Sequence, residues 1–119
     1  MPFSHKHRAY RFGITAEWLV MVFYFIQGYR LVCWRYRCSY GEIDLVFKRG
    51  TLLIFIEVKA RRNSHETVEK TIGYKQRRRI KRAAQFFIAT HPRFHHFSYR
   101  IDAILISRHG KSSWIKEAW

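Results

Sequence analysis

Four charged residues interrupt two apolar runs in the middle of the chain. Glu42 and Asp44 lie two residues apart in the first run, and Glu57 and Lys59 lie two residues apart in the second. Because successive side chains of a β-strand point to opposite faces, each pair would share one face. Carboxylates held close together repel one another unless a cation neutralises them, and oxygen ligands suit Mg²⁺ or Mn²⁺. An adjacent lysine could stabilise a phosphoryl oxyanion or orient the attacking water, so the pattern suggests metal-assisted phosphodiester hydrolysis.

The two runs are predicted to form a β-hairpin over residues 41–61, because a Lys-Arg-Gly-Thr turn signal separates them. An even number of loop residues places all four charges on one face. A two-residue loop at Arg49 and Gly50, which sets Leu45 opposite Ile54, and a four-residue loop share this parity, and the four-residue loop sets Asp44 directly opposite Glu57. A three-residue loop would scatter the charges, so an even loop is favoured. The other face would then be apolar, formed by Ile43, Leu45, Phe47, Ile54, Ile56 and Val58.

The same charges have a purely structural interpretation, as cross-strand ion pairs at a solvated strand end. Spacing alone does not decide between that interpretation and a metal site. A solvated face would carry polar residues throughout, whereas these charges interrupt runs that are otherwise apolar. This interruption favours the metal site over the cross-strand ion pairs.

The composition indicates a polyanionic partner. The chain has 119 residues, enough for one domain with a modest core, and it carries 23 Lys and Arg against 8 Asp and Glu, a net charge of +15. Nucleic acid is the first candidate and an anionic membrane surface the second. A non-catalytic nucleic-acid-binding protein has the same signature, so charge alone does not indicate an enzyme.

Other composition features favour a cytoplasmic protein without membrane insertion. Cys33 and Cys38 are the only cysteines, which predicts free thiols rather than a disulfide framework or a zinc site. Residues 1–12 are predicted to form a basic N-terminal arm without a secretory signal. The most apolar run, residues 18–26, is too short to span a bilayer.

Two helices are predicted on either side of the hairpin in sequence. The first begins with Thr15 as N-cap and ends at Gly28, and its apolar circumference predicts a helix sandwiched between other elements. Glu17 in its first turn is explained equally well by the helix dipole and by a role in the site. The second helix covers residues 71–90, with Gln76 on the same stripe as its apolar residues.

Two stretches carry the cations expected to contact nucleic acid. Residues 29–40 are predicted to form a strand in which aromatic residues and arginines interleave, although a strand with one solvated face gives the same pattern. The second helix carries six basic residues in eight positions without balancing acids, and a phosphate backbone would relieve their repulsion. The predicted nucleic-acid-binding residues are Arg35, Arg37, Lys75, Arg77, Arg78, Arg79, Lys81 and Arg82.

The remaining sequence predicts one more strand and a short terminal element. Residues 97–107 alternate, with Phe97, Tyr99 and Ile101 on one face and Asp102 on the other. Residues 108–119 are expected to add a short strand or helix.

The hairpin motif resembles the YraN-like family of small bacterial proteins, which lies within the restriction-endonuclease-like group. The matching strings are Gly-Glu-Ile-Asp-Leu-Val at 41–46 and Phe-Ile-Glu-Val-Lys-Ala-Arg at 55–61. The resemblance covers about residues 16–106. The chain departs from the family pattern at Ala16, at Arg35 and in a shorter connection after residue 61.

The resemblance implies a single α/β domain over residues 13–119, with an α-β-β-β-α-β core and a central mixed sheet flanked by helices. It also implies a nuclease that depends on a divalent metal, Mg²⁺ or Mn²⁺. The expectation is therefore an endonuclease acting on DNA, including branched or damaged DNA. The alternative is a basic nucleic-acid-binding module without catalysis.

The resemblance also assigns roles to individual residues. The metal would be held by Asp44, Glu57 and the backbone carbonyl of Val58, and Lys59 would assist the water. Glu17 and Gln76 would be auxiliary catalytic residues, and Glu42 and Asp102 would support the site. The sequence leaves open the choice between DNA and RNA and the formation of a homodimer, which would allow both strands of a duplex to be cut.

Overall fold

A five-stranded mixed sheet with helices on both faces makes up the part of the chain that the computed structural model describes, residues 16–61, 66–107 and 112–119. The elements in chain order are α1 (16–26), β1 (Arg30–Cys38), β2 (Gly41–Arg49), β3 (Leu52–Arg61), α2 (Val68–Thr71), α3 (Tyr74–Thr90), a 3₁₀ turn (Pro92–Phe94), β4 (Ser98–Ser107) and β5 (Ser113–Ile115).

The strand order in the sheet follows the order in the chain. β1, β2 and β3 form an antiparallel meander, β4 runs parallel to β3, and β5 pairs antiparallel with β4. The long connection that carries α2 and α3 makes the parallel β3–β4 pair possible. The α-β-β-β-α-β order and the α/β class predicted from the sequence are confirmed, and the tail adds a short strand. The predicted N-terminal arm, the domain boundary at residue 13 and the Thr15 cap lie outside the described residues.

The loop of the β2–β3 hairpin is even, as predicted, but its two residues are Gly50 and Thr51, one position later than the predicted Arg49 and Gly50. Gly50 has φ +60°, as the first central residue of a type II′ turn requires. The register pairs Leu45 with Ile56. Asp44 therefore lies opposite Glu57, the alignment that was predicted for a four-residue loop.

The two faces of the sheet carry separate apolar clusters because side chains alternate along β3 and β4. Leu53 and Phe55 point towards α3, where they pack with its apolar stripe. Ile54 and Ile56 point towards α1 and pack with Tyr24. The buried residues of α3 are Ile80, Ala83, Ala84 and Phe87, which follow the helical spacing predicted for this helix.

The prediction that α1 is sandwiched between other elements is wrong. Only one stripe of α1 is buried, that of Ala16, Glu17, Val20 and Tyr24, and the opposite side of the helix is exposed. An apolar circumference shows that a helix avoids water, but it does not show which neighbour covers each side. Among the described residues, no helix is both long and apolar enough to cross a membrane.

The prediction that Ile43 shares a face with Leu45 and Phe47 is also wrong. Ile43 is fully buried in the cluster under α3, whereas Leu45 and Phe47 belong to the cluster under α1. The alternation is interrupted at Asp44, opposite Arg35, whose backbone has φ +56°. Strict period two holds only where the backbone is extended, and Arg35 departs from extended geometry at this point.

Candidate functional site

The site lies where β2 separates from β3. The last regular backbone pair between these strands is Leu45 with Ile56. One residue further on, the Val58 N–H donates to Asp44 Oδ2 at 2.8 Å. The Asp44 side chain therefore accepts a hydrogen bond from β3 where a backbone carbonyl of β2 would otherwise accept one. The two strands diverge at Asp44 and Glu57, and we call this opening the fork.

Asp44 and Glu57 meet inside this fork. Glu57 is buried, with 7% of its surface exposed, and Asp44 is partly buried. The two carboxyl groups interact through a side-chain hydrogen bond. Gln76 of α3 lies beside them, and its Nε2 donates to Glu57 Oε1 at 3.4 Å. Gln76, to which the resemblance gave an auxiliary role, therefore contacts one member of the carboxyl pair.

Both carboxyl groups have raised pKa values because they are buried beside each other. Burial is the larger cause for Glu57 and the charge of Asp44 is the second, and together they raise its pKa to about 9. Burial likewise raises the pKa of Asp44 to about 6, opposed mainly by the Val58 hydrogen bond. Two carboxylates in this position need a proton or a cation between them.

The charges of Lys59 and Glu17 have opposite effects on the pKa of Glu57. Lys59 lies two residues after Glu57 on β3, and its positive charge lowers the pKa of Glu57. The charge of Glu17 raises the pKa of both Asp44 and Glu57. The described fold therefore brings together Asp44, Glu57, Lys59, Gln76 and Glu17, the five residues predicted to be catalytic.

Glu17 is fixed in place by residues of β1. Its Oε2 accepts from Trp34 Nε1 at 2.9 Å and from Arg35 Nε at 3.2 Å. Arg35 was predicted to bind nucleic acid, but its guanidinium lies against this carboxylate. Trp34 was not singled out from the sequence, because the aromatic and arginine alternation of β1 does not indicate which aromatic residue reaches α1.

Glu42 fits the structural interpretation better than the catalytic one. It is paired across the strands with Arg37, at 3.0 Å between Oε1 and Nε, and both side chains are largely exposed. Such solvated pairs contribute little to stability. Glu42 lines the edge of the fork but does not join the buried carboxyl pair.

The fork opens into a cleft of about 510 Å³ between the hairpin and α3. Lys75 and Arg79 line it together with the acids and Gln76. Gly41 allows α3 to approach closely, because a Cβ atom at this position would lie 3.3 Å from the Cβ of Arg79. The close approach brings two cations to the mouth of an acidic pocket.

The remaining cations predicted on α3 divide into two groups. Arg78, Lys81 and Arg82 are exposed, as are Lys75 and Arg79. Arg77 turns back instead, and its Nε donates to the Ile72 carbonyl at 3.1 Å. Five of the six α3 cations are therefore accessible to a large anion.

Asp102, predicted to support the site, lies on the opposite face of the sheet. It is fully buried and accepts hydrogen bonds from Tyr24, Arg100, Trp114 and the Glu117 backbone. These contacts tie α1 and the C-terminal residues to β4. The role of Asp102 in this geometry is to hold α1 against the sheet, at a distance from the carboxyl pair.

The donor set at the fork fits a hard divalent cation. No group of three His, Cys, Asp or Glu side chains suited to a metal occurs in residues 16–61, 66–107 and 112–119. Mg²⁺ is usually held by one or two carboxylates, with water and substrate phosphate completing its shell. Asp44 and Glu57 supply such a pair, and Val58 follows Glu57 directly on β3.

Glu57→Gln should stabilise the metal-free protein at neutral and alkaline pH. The folded pKa of Glu57, about 9, exceeds its ordinary value of 4.5, so the folded state binds the proton more tightly. The stability conferred by this proton is present below pH 4.5 and is lost as the pH rises towards 9. Thermal melts in chelator at pH 8 should show a higher midpoint for the variant, by roughly 4 °C for each kcal/mol gained.

Glu42→Gln provides the matched control, since it removes a carboxylate from the edge of the same fork. Its midpoint should change little, because the pair with Arg37 is exposed. If Glu57→Gln lowered the midpoint at pH 8 in chelator, Glu57 would be held by favourable partners and not destabilised by Asp44.

Comparison with known proteins gives a single family. Residues 16–106 match the model of the family described as "Uncharacterised protein family UPF0102". A UPF0102 protein of Mesorhizobium japonicum is 38% identical over 105 residues, which cover 88% of this chain and 83% of the relative. One of Maricaulis maris is 43% identical over 108 residues, covering 87% and 84% respectively. The matched region contains every residue of the fork.

Proposed function

The chain belongs to the UPF0102 family, and we propose that it is a metal-dependent endonuclease that hydrolyses phosphodiester bonds in DNA. UPF0102 is the YraN family, so the membership predicted from the hairpin motif is confirmed. The family is uncharacterised, and its name carries no activity. The proposal rests on the geometry of the fork.

The observation that carries the proposal is the buried pair of Asp44 and Glu57, with Lys59 on the same strand. Side chains that serve only stability rarely place two carboxylates against each other in a buried position, because each disfavours the charge of the other. A divalent cation would remove that conflict. The cations at the mouth of the cleft favour a substrate that carries phosphate groups.

Asp44, Glu57 and the Val58 carbonyl would hold Mg²⁺ or Mn²⁺, and the bound ion would supply Lewis-acid chemistry at the scissile phosphate and at the attacking water. The ammonium group of Lys59 would stabilise the charge that develops on the phosphoryl oxygens, or orient the attacking water. Gln76 would keep Glu57 in position through its hydrogen bond. Glu17, held by Trp34 and Arg35, would adjust the electrostatic potential of the pair.

The exposed cations of α3 would position the nucleic-acid backbone over the cleft. Lys75 and Arg79 line its mouth, and Arg78, Lys81 and Arg82 extend the charge along the helix. Contacts of this kind go to phosphates and carry no base information, so the substrate would be chosen by shape. Branched or damaged DNA is therefore included in the proposal.

The proposal places the protein in the cytoplasm, where chromosomal DNA and Mg²⁺ are both available. Cys33 and Cys38 are both free and partly buried, which suits a reducing compartment. A homodimer would carry two clefts and could act on both strands of a duplex.

A cleavage assay tests the function directly. The purified chain would be incubated with linear, nicked, single-stranded and four-way-junction DNA and with a matched RNA, in Mg²⁺, Mn²⁺ or chelator. We expect cleavage of at least one DNA substrate with either metal and no cleavage in chelator. Comparison of the substrates identifies the preferred structure.

The alternative, a nucleic-acid-binding module without catalysis, gives a different result in the same assay. It would bind DNA with an affinity that falls steeply as salt rises, because several phosphate contacts release counterions. All substrates would stay uncut under every metal condition. That outcome would overturn the nuclease proposal and leave the basic surface of α3 as the functional feature.

A further inference from the structure

Most of the exposed large apolar side chains among the described residues lie on α1 and on the neighbouring strand β1. Phe25 and Ile26 are 71% and 76% exposed, values expected of lysines and not of Phe and Ile. The surface continues onto β1. It consists of Trp18, Leu19, Val22, Phe23, Phe25, Ile26, Leu31 and Trp34, and we call it the α1 surface.

The area of the α1 surface matches one side of a stable protein interface. At their observed exposure its eight side chains present on the order of 800 Å² of mainly apolar area. The largest apolar patch on a typical monomer is about 300–600 Å², and a standard interface takes about 800 Å² from each partner. The surface is thus large enough for a dimer.

The shape of the surface suits pairing with an identical surface. The exposed side chains of α1 form a ridge, and an apolar groove runs along each side of it. One groove, of about 240 Å³, is lined by Trp18, Met21 and Leu31, and the other, of about 260 Å³, by Leu19, Phe23 and Ile104. A ridge beside a groove is self-complementary under a two-fold rotation, which is the requirement for an isologous contact.

Charge also favours a second copy over a membrane. Two molecules of net charge +15 repel each other, so a surface poor in unbalanced cations favours their association. Residues 16–26 contain no Lys or Arg, and the guanidinium that lies over Trp34, that of Arg35, is paired with Glu17. Helices that lie on membranes usually carry Lys and Arg along their polar side, which α1 lacks.

We propose that the α1 surface is the interface of a homodimer in which α1 packs against α1 of a second copy. Each ridge fills a groove of the other subunit. The inference does not depend on the chemistry at the fork, since association is measured by mass and not by cleavage.

The test is the mass of the protein in solution, measured by light scattering after size exclusion at about 5–100 μM. The wild type should have twice the monomer mass of 14.5 kDa. Ile26→Glu and, separately, Phe25→Glu should weaken association by roughly 100-fold or more, because each places an unpaired charge in an apolar contact. Tyr74→Glu, at an exposed aromatic residue of α3, should remain dimeric.

A second measurement separates loss of association from loss of folding. The midpoint of thermal unfolding should rise with protein concentration for the wild type and for Tyr74→Glu, and should be independent of concentration for Ile26→Glu. A monomeric wild type at about 100 μM would overturn the proposal, as would a dimer unaffected by both substitutions. Salt-resistant binding of the monomeric wild type to phosphatidylcholine–phosphatidylglycerol vesicles, lost in Ile26→Glu, would identify a membrane as the occupant instead.

Discussion

Asp44→Asn is expected to abolish metal-dependent cleavage while leaving DNA binding intact. The substitution preserves the size of the side chain and its ability to accept from the Val58 N–H, but it removes one of the two charges that would hold the cation. Lewis-acid stabilisation contributes several kcal/mol to hydrolysis, and each 1.4 kcal/mol is about tenfold in rate. Single-turnover cleavage in Mg²⁺ should therefore fall by roughly 10³-fold. Affinity for the same DNA in chelator should stay equal or increase, because a negative charge beside the phosphates has been removed.

Glu69→Gln is the control for that experiment, since Glu69 is an exposed acid of α2 and lies outside the cleft. Its cleavage rate should match that of the wild type. Equal rates for Asp44→Asn and the wild type would remove Asp44 from the reaction and with it the metal site at the fork. Parallel loss of cleavage and of DNA binding would indicate that Asp44 acts through the fold, a possibility that thermal melts of the variant would test.

The fold could be predicted because its elements are specified locally. A few consecutive residues determine each of three features: the turn at Gly50, the apolar stripe of α3 and the alternation of β4. The even loop could also be predicted, because an odd one would have buried a charge. The exact register could not, since a two-residue loop moved by one position keeps the same parity.

The errors arose where the outcome depends on distant residues. Ile43 changes face where β2 parts from β3 and where Arg35 of the neighbouring strand has a positive φ, and neither event has a local signal. The family resemblance assigned Asp102 to the site, although its partners Tyr24 and Trp114 lie 78 and 12 residues away in the chain. The exposed side of α1 could not be predicted, because an apolar sequence is the same whether a sheet or a second molecule covers it.

Asp102→Ala is expected to cause the largest loss of stability among the substitutions considered. Asp102 is fully buried and accepts five hydrogen bonds, two of them from Arg100, which is itself largely buried. Removing the acid leaves an uncompensated cation and unpaired donors on Tyr24 and Trp114. Breaking a buried pair in this way costs about 3–5 kcal/mol, against a total stability of about 5–15 kcal/mol for a typical domain. Urea denaturation should show a correspondingly lower midpoint, or an unfolded protein.

The loss of stability in Asp102→Ala comes from the hydrogen-bonding partners that lose their acceptor. The loss should therefore be smaller when a partner is replaced together with Asp102. Tyr24→Phe alone removes one donor and should cost only about 0.5–1.5 kcal/mol. The double variant Arg100→Met, Asp102→Leu replaces the whole ion pair with apolar groups of similar size and should be clearly more stable than Asp102→Ala. If the double variant were as unstable as the single one, the contribution of Asp102 would lie in holding Tyr24 and Trp114 and not in balancing Arg100. In either case α1 is attached to the sheet through this residue, so the position of Glu17 beside the fork depends on a network on the opposite face of the sheet.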